Sequence, residues 1–277
     1  LVDTEVVIDG NRIGGAGAIG TFTTDHGIDV DDLTGIDLVV TDNRVGQGAA
    51  VAGAGIHISN VNGGNSHTAS GNLVDNTGGS GIELAVVSGN ITISDNVVGG
   101  TGTIGGKGIE FGNSNVVNVT ISGNAIDNTG NHGLHVHDLA GPAGGQSLLI
   151  DGNFIAGSGT VGDAADEHGI FISNIGGLDV HITNNEIGQG ARVFHDGILF
   201  RNLGGHSVTV SGNTVDRTGG DGIDGGVNVA DLIISGNFVG TSGFIGVSGI
   251  EAANDVDAIT VGTATNVTIS GNTVGNA

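Results

Sequence analysis

The chain has 277 residues, 57 of them Gly and only six of them Lys or Arg, with a formal charge of −23 and no Trp, Tyr, Cys or Met. So few cations exclude a nucleic-acid partner or an anionic membrane surface, both of which are held through Lys and Arg. The lack of Cys excludes disulfides, zinc–thiolate centres and thiol nucleophiles, and no apolar run approaches the roughly 20 residues of a spanning helix.

Gly and Asn at this level would suggest disorder, but the apolar residues are Val, Ile and Leu, which disordered chains lack. The composition fits an exported bacterial protein, extracellular or at the cell surface. There is no initiator Met or signal peptide and Leu1 already lies inside a repeat unit, so the chain reads as an excerpt of a longer polypeptide.

In chain order, an Asn recurs after a strand-like run at Asn11, Asn43, Asn72, Asn96, Asn124, Asn153, Asn185, Asn213, Asn237 and Asn272. Two residues beyond each stands a Val or Ile, from Ile13 and Val45 to Val239 and Val274. Five and three residues before many of them come pairs such as Val119 with Ile121 and Val208 with Val210, the period of a strand with one buried face. A second strand is predicted to start at each Gly-Ile or Gly-Leu: Ile28, Ile56, Ile82, Ile109, Leu134, Ile170, Ile198, Ile223 and Ile250. Each unit therefore reads as strand, tight Gly-Asn turn, short strand, looser turn, Gly-Ile strand and variable loop. Such a unit cannot bury its apolar side alone, but stacked on copies of itself it forms a continuous core. The Gly-Asn corner calls for a left-handed backbone, which Asn tolerates, and its amide can bond the identical amide one coil away, giving a structural ladder of all ten Asn.

A longer period lies above this one. The segment "NRIGGAGAIGTFTTDHGIDV" from Asn11 matches "NFIAGSGTVGDAADEHGIFI" from Asn153, 142 positions on. The chain is read as one domain, 1–277, made of a five-coil block over 11–152 and a partial second block over 153–277.

These motifs resemble the right-handed parallel β-helix of the pectate-lyase-like superfamily over the whole chain, and in particular its large repetitive exoproteins and adhesins. The resemblance implies an all-β solenoid of about nine coils with three short strands each. At roughly 4.8 Å per coil it is a rod roughly 45 Å long. Function does not follow from fold, since enzymes and adhesins share it.

In the enzymes the chain resembles, the substrate groove lies along the strand that corresponds here to Gly-Ile. Its outward residues run Asp29, His57, Glu83, Glu110, His135, Phe171, Leu199, Asp224 and Glu251. Glu83, Glu110 and His135 fall on successive coils with Lys107 and His132 nearby. Two carboxylates one coil apart are expected to raise each other's proton affinity, as general acid–base work on a polysaccharide requires. Against catalysis stands the lack of Trp and Tyr faces for sugar rings, which also excludes an epimerase mechanism that uses Tyr. In "NHGLHVHD", His135 and His137 alternate onto one strand face with Asp138 following, a candidate metal set. His26 and His168 recur across the blocks and are expected to cap a loop. His67 falls at an inward position, as a satisfied core His or the mark of a bulge. No cofactor is required; calcium could be held loosely by "GGDGIDGGV" at 219–227, by Asp29, Asp31 and Asp32, or by Asp163, Asp166 and Glu167.

The reading these features favour is a structural segment of an extracellular repetitive protein, an adhesin stalk, matrix component or filament subunit. It is expected to associate head to tail through open strand edges and to offer a face to a polysaccharide or cell-surface ligand. The alternative is a polysaccharide-active lyase, hydrolase or epimerase, or a carbohydrate-binding β-helix.

Overall fold

The structure, a computed structural model, describes residues 4–14, 20, 25–141, 145–157, 159–162, 167–205, 207–227, 229–240, 245–246, 250–251 and 264–275. Among them there is no helix, and every strand pairing is parallel, forming a right-handed parallel β-helix of about eight turns.

The strand ahead of each Asn ends two residues before it, as in Glu5–Asp9, Asp37–Thr41 and Leu178–Thr183. The two-residue strands beyond it, from Arg12–Ile13 to Thr273–Val274, form a separate ten-stranded sheet. Each Gly-Ile or Gly-Leu opens a strand of its own, as in Ile56–Val61, Leu134–Ala140 and Ile198–Gly204. Alternate residues of these strands point inward, and stacking puts Val45, Val74, Val98, Ile126, Ile155, Ile187 and Val215 one above another at 0% exposure. Phe111 and Phe200 are the largest side chains buried completely in this core. The aliphatic row is thus the inner wall, and its burial is the main stabilising contribution.

The corners correct the reading of the turns. The residue before each ladder Asn adopts the left-handed conformation: Gly10, Gly71, Gly123, Gly152, Gly212, Gly236 and Gly271, or Asp42, Asp95 and Asn184, with φ between 54° and 67°. The ladder Asn is not left-handed, so its presence reflects its amide alone. A second left-handed corner stands four residues after the first seven of these strand starts, from Ile28 to Ile198, at Asp32, Asn60, Val86, Asn113, Asp138, Asn174 and Asn202. Short polar side chains that tolerate this backbone occupy six of the seven positions, and Val86 is the β-branched exception. What reads as a variable loop is therefore a bend between two strands. In two coils it is so tight that the strands run together, as Ile82–Ser94 and Ile109–Ser122, instead of remaining three short strands.

The ladder Asn are buried from Asn43 to Asn237. Each Oδ1 accepts both the backbone N–H and the amide N–H of the Asn one coil earlier, as from Asn96 to Asn124 at 3.1 and 2.9 Å. Each amide also donates to the carbonyl three residues before the preceding Asn, as from Asn124 to Ile93 at 3.0 Å. The amide contacts span 32, 29, 24, 28, 29, 32, 28, 24 and 35 residues, the intervals of the sequence repeat. Every interior Asn thereby uses both amide donors and accepts twice, which removes the cost of burying it.

Candidate functional site

The Gly-Ile strands stack in register, so Asp29, His57, Glu83, Glu110, His135, Phe171, Leu199, Asp224 and Glu251 form one column along the prism. Leu199, read as an outward position, is in fact buried at 1% exposure. Charged and aromatic groups gather in three places along this column.

In the first block, His26 stacks on His57 with ring centroids 4.3 Å apart, and His57 Nδ1 lies 2.8 Å from Asp29 Oδ1. Asp31 accepts from Ser59 Oγ and Asn60 Nδ2, both at 2.8 Å. The Asp29–Asp31–Asp32 loop therefore has two of its carboxylates already engaged by donors.

In the middle of the chain, Glu110 accepts from Lys107 Nζ and, at 3.0 Å, from Ser80 Oγ, while His137 Nε2 lies 3.4 Å away. His137 reaches that far because position 112 is Gly: a Cβ there would sit 2.4 Å from the imidazole. The other nitrogen of His137 is 2.8 Å from Asp138, which in turn accepts from Asn174 at 2.9 Å. Burial opposes the ionised carboxylate of Glu110, but hydrogen bonds from His137, Lys107 and Ser80 outweigh it and hold its pKa down to about 2. The neighbouring carboxylate of Glu83 does not raise it, contrary to the expectation for an acid–base pair. Hydrogen bonding to Glu110 raises the pKa of His137.

His135 differs from its neighbour. It lies flat between Phe171, 4.8 Å away and 4° from parallel, and His137, 4.5 Å away. Both of its nitrogens are buried without a hydrogen-bond partner, and burial pulls its pKa down to about 3. The donors that converge here are those of Glu110, His135 and His137. Asp138, grouped with the two histidines in the sequence reading, instead holds the far side of His137.

The third place escaped sequence reading. His132 stacks on His168 at 5.2 Å, and His168 meets His195 edge-on at 5.0 Å and 88°. His168 Nδ1 and His195 Nδ1 lie 3.1 and 3.0 Å from Asp196 Oδ2, and Asp196 is 1% exposed. The Nδ1 atoms of His26, His132 and His168 accept backbone N–H groups from the next coil, at Ala54, His168 and Asp196. Alongside, Arg192 lies 4.8 Å over the ring of Phe194 and, with Arg217, Thr218, Gly219 and Gly246, lines a cavity of about 580 Å³. A signal was present: "VGQGAAVAGA" at 45–54 becomes "IGQGARVFHD" at 187–196, so Ala50, Ala52, Gly53 and Ala54 stand where the second block has Arg192, Phe194, His195 and Asp196.

His67 is buried at 2% exposure in regular register between Leu38 and Ile91, so it is a core residue and marks no bulge. Neither of its nitrogens has a partner, and burial lowers its pKa. In the "GGDGIDGGV" segment the Asp221 amide donates to Asp196 at 2.6 Å and Asp224 lies 3.8 Å from Arg201. Asp163 and Asp166 lie outside the described residues.

No protein-family model matches the chain, and no curated protein matches it. Among solved structures it is similar to the A-module of mannuronan C-5 epimerase AlgE6 from Azotobacter vinelandii, at 13% identity over 100% of this chain and 92% of that one, with a TM-score of 0.23. Likeness at that level bears on neither chemistry nor ligand.

Proposed function

We propose that the chain is a rod-forming structural segment of an extracellular or cell-surface repetitive protein, of the adhesin, matrix or filament kind. The observation that carries this reading is the continuity of the Asn ladder across the start of the second block. Asn124 donates to Asn153, and Asn153 to Asn185, both at 2.9 Å, the geometry found within each block. The strands on either side, Gln146–Asp151 and Leu178–Thr183, pair in unbroken parallel register. A block can therefore be added without altering the cross-section, which suits a protein whose task is length. The strand edges of such a rod favour a further copy in line as partner, and its lateral face favours a polysaccharide or cell-surface ligand.

The state of the central carboxylate supports this over the enzyme reading. A Glu held near 2 by three donors is a poor proton donor at neutral pH, and a His brought down to about 3 is a weak base, so the pair is mismatched for acid–base catalysis.

Inserting a second copy of residues 11–152 in register at the block boundary tests the reading by small-angle X-ray scattering. Five added coils are expected to lengthen the particle by roughly 24 Å at constant cross-section. A wider particle, two separate bodies, or turnover of acidic or neutral glycans by the parent chain would overturn it.

A further inference from the structure

We propose that His168, His195 and Asp196 form a binding site for a divalent transition metal of the zinc class, held through His168 Nδ1, His195 Nδ1 and Asp196 Oδ2.

One ligand atom from each of the three residues lies within 4.8 Å of the others, and the carboxylate oxygen is 3.1 and 3.0 Å from the two Nδ1 atoms. Bonds of about 2.0–2.2 Å to one ion put neighbouring donors roughly 3 Å apart, so the triangle already has the dimensions of one face of a coordination sphere. Two imidazoles and one carboxylate on a face leave the remaining positions to water. The perpendicular rings of His168 and His195 let both nitrogens approach one point from different directions.

Two of the three atoms have no hydrogen-bond partner, and the third, His168 Nδ1, accepts one long bond from the Asp196 amide. Asp196 Oδ2 and His195 Nδ1 are buried without a hydrogen-bond partner, although Asp196 is 1% exposed. Its second oxygen is fixed by the Asp221 amide at 2.6 Å, which orients the free one toward the histidines. The Asp196 amide approaches His168 Nδ1 at 3.3 Å, against 3.0 Å for the equivalent bonds of His26 and His132. The metal would replace this longest contact of the three.

The first block is the internal control. It has His26 at the place of His168 but Gly53 and Ala54 at the places of His195 and Asp196. The backbone is nevertheless the same: Gly53 N donates to Asp25 O at 3.0 Å and His195 N to Glu167 O at 2.9 Å, while Gly27 N donates to Ala54 O at 3.0 Å and Gly169 N to Asp196 O at 2.9 Å. The fold is satisfied by Gly and Ala at these positions. A buried carboxylate with one oxygen facing only two imidazole nitrogens is costly to keep charged, and nothing in the coil requires it. The Glu110–His135–His137 group is a weaker candidate, because Lys107 brings an ammonium to the same Glu110 oxygen that faces His137.

Chelator-treated full chain titrated with Zn²⁺ and Co²⁺ tests the site, by calorimetry and by the visible spectrum of bound Co²⁺. One saturable equivalent is expected. His195→Gly and Asp196→Ala, which install the residues of the first block and so are expected to fold, should each weaken it by roughly 100-fold or more, with the β circular dichroism unchanged. Glu110→Gln should leave it intact. The proposal is overturned by the absence of saturable binding, by binding of Ca²⁺ alone, by binding that survives both substitutions, or by loss of binding in Glu110→Gln alone.

Discussion

Along one edge of the prism the same Asn stands on coil after coil, buried and with both amide donors used, while on the Gly-Ile face the residue changes at nearly every step. Both columns obey the same register, so stacking alone does not explain the difference. A position whose partner is its own copy one coil away can only be what that copy is, because a change leaves two neighbours unsatisfied. A position facing outward meets no such demand and is free to vary. Sameness therefore marks what the fold needs, and departures between copies mark what it does not.

Breaking the invariant column should have the largest effect. Asn124→Ala removes the acceptor of the Asn96 backbone and amide N–H groups and the donor to Ile93 and Asn153, all buried. Unsatisfied buried groups cost about 1–3 kcal/mol each, so a loss of about 4 kcal/mol is expected in urea unfolding. Asp138→Ala, on the variable face, should cost under about 1 kcal/mol in the same assay. Equal losses would erase the distinction between the columns.

That distinction also explains what could be read before the structure. The ladder, the Val and Ile rows and the Gly-Ile strand starts are repeated, and repetition is visible in one sequence. The bend after Gly-Ile is less legible, although Asn60, Asn113, Asn174 and Asn202 mark it, because Asp32, Val86 and Asp138 adopt the same left-handed backbone and no one residue type repeats there. The left-handed backbone was assigned to the ladder Asn when it belongs to the residue before it, since Gly-Asn names both and only φ separates them. The His168–His195–Asp196 group lay hidden for a different reason. His195 and Asp196 stand one coil beyond His168, but the first block has Gly53 and Ala54 in their places, so no repeat marks them and the signal is a departure between copies.

Acid should act on the variable face next most strongly. His132 and His135 take up a proton near 6.5 when unfolded but only near 3 when folded, chiefly because burial disfavours the charged ring. The unfolded state then binds more protons between those values, so stability falls as pH drops below 6.5 toward 3, by at most about 1.4 kcal/mol per pH unit for each His. Glu110 acts in the same sense lower down, its contribution present above 4.5 and lost as pH falls through about 2. His137 acts oppositely, its contribution present below 6.5 and lost as pH rises through its elevated folded value. His135→Phe keeps the stack on Phe171 and removes one titrating ring, so its acid limb in pH-dependent thermal unfolding should be shallower. An unchanged limb would show that His135 is not neutral in the fold.

A smaller change probes the contact that distinguishes His137 from His135. The Cβ of Gly112→Ala would press on the His137 ring and move it off Glu110. Destabilisation of about 1 kcal/mol is expected, within the range of ordinary substitutions. The informative readout is the NMR titration of His137, whose pKa should fall toward the ordinary histidine range. If it stays raised, Asp138 and not Glu110 sustains it.

The smallest effect is expected where the two blocks differ most in chemistry. In metal-free protein, Asp196→Ala removes a buried carboxylate, a gain, and also the acceptor of the Asp221 amide at 2.6 Å, a loss. His195→Gly removes a ring that is 36% exposed in its side chain and has a buried, unpaired nitrogen. In the first block Gly53 and Ala54 hold the same backbone bonds, so the coil does not depend on either side chain. The two opposing terms in Asp196→Ala leave a net change within about 1 kcal/mol, several times less than for Asn124→Ala. Urea unfolding in the presence of chelator measures it. A loss on the scale of the ladder substitution would mean that His195 and Asp196 hold the second block together, and that copies can diverge in structural as well as in dispensable residues.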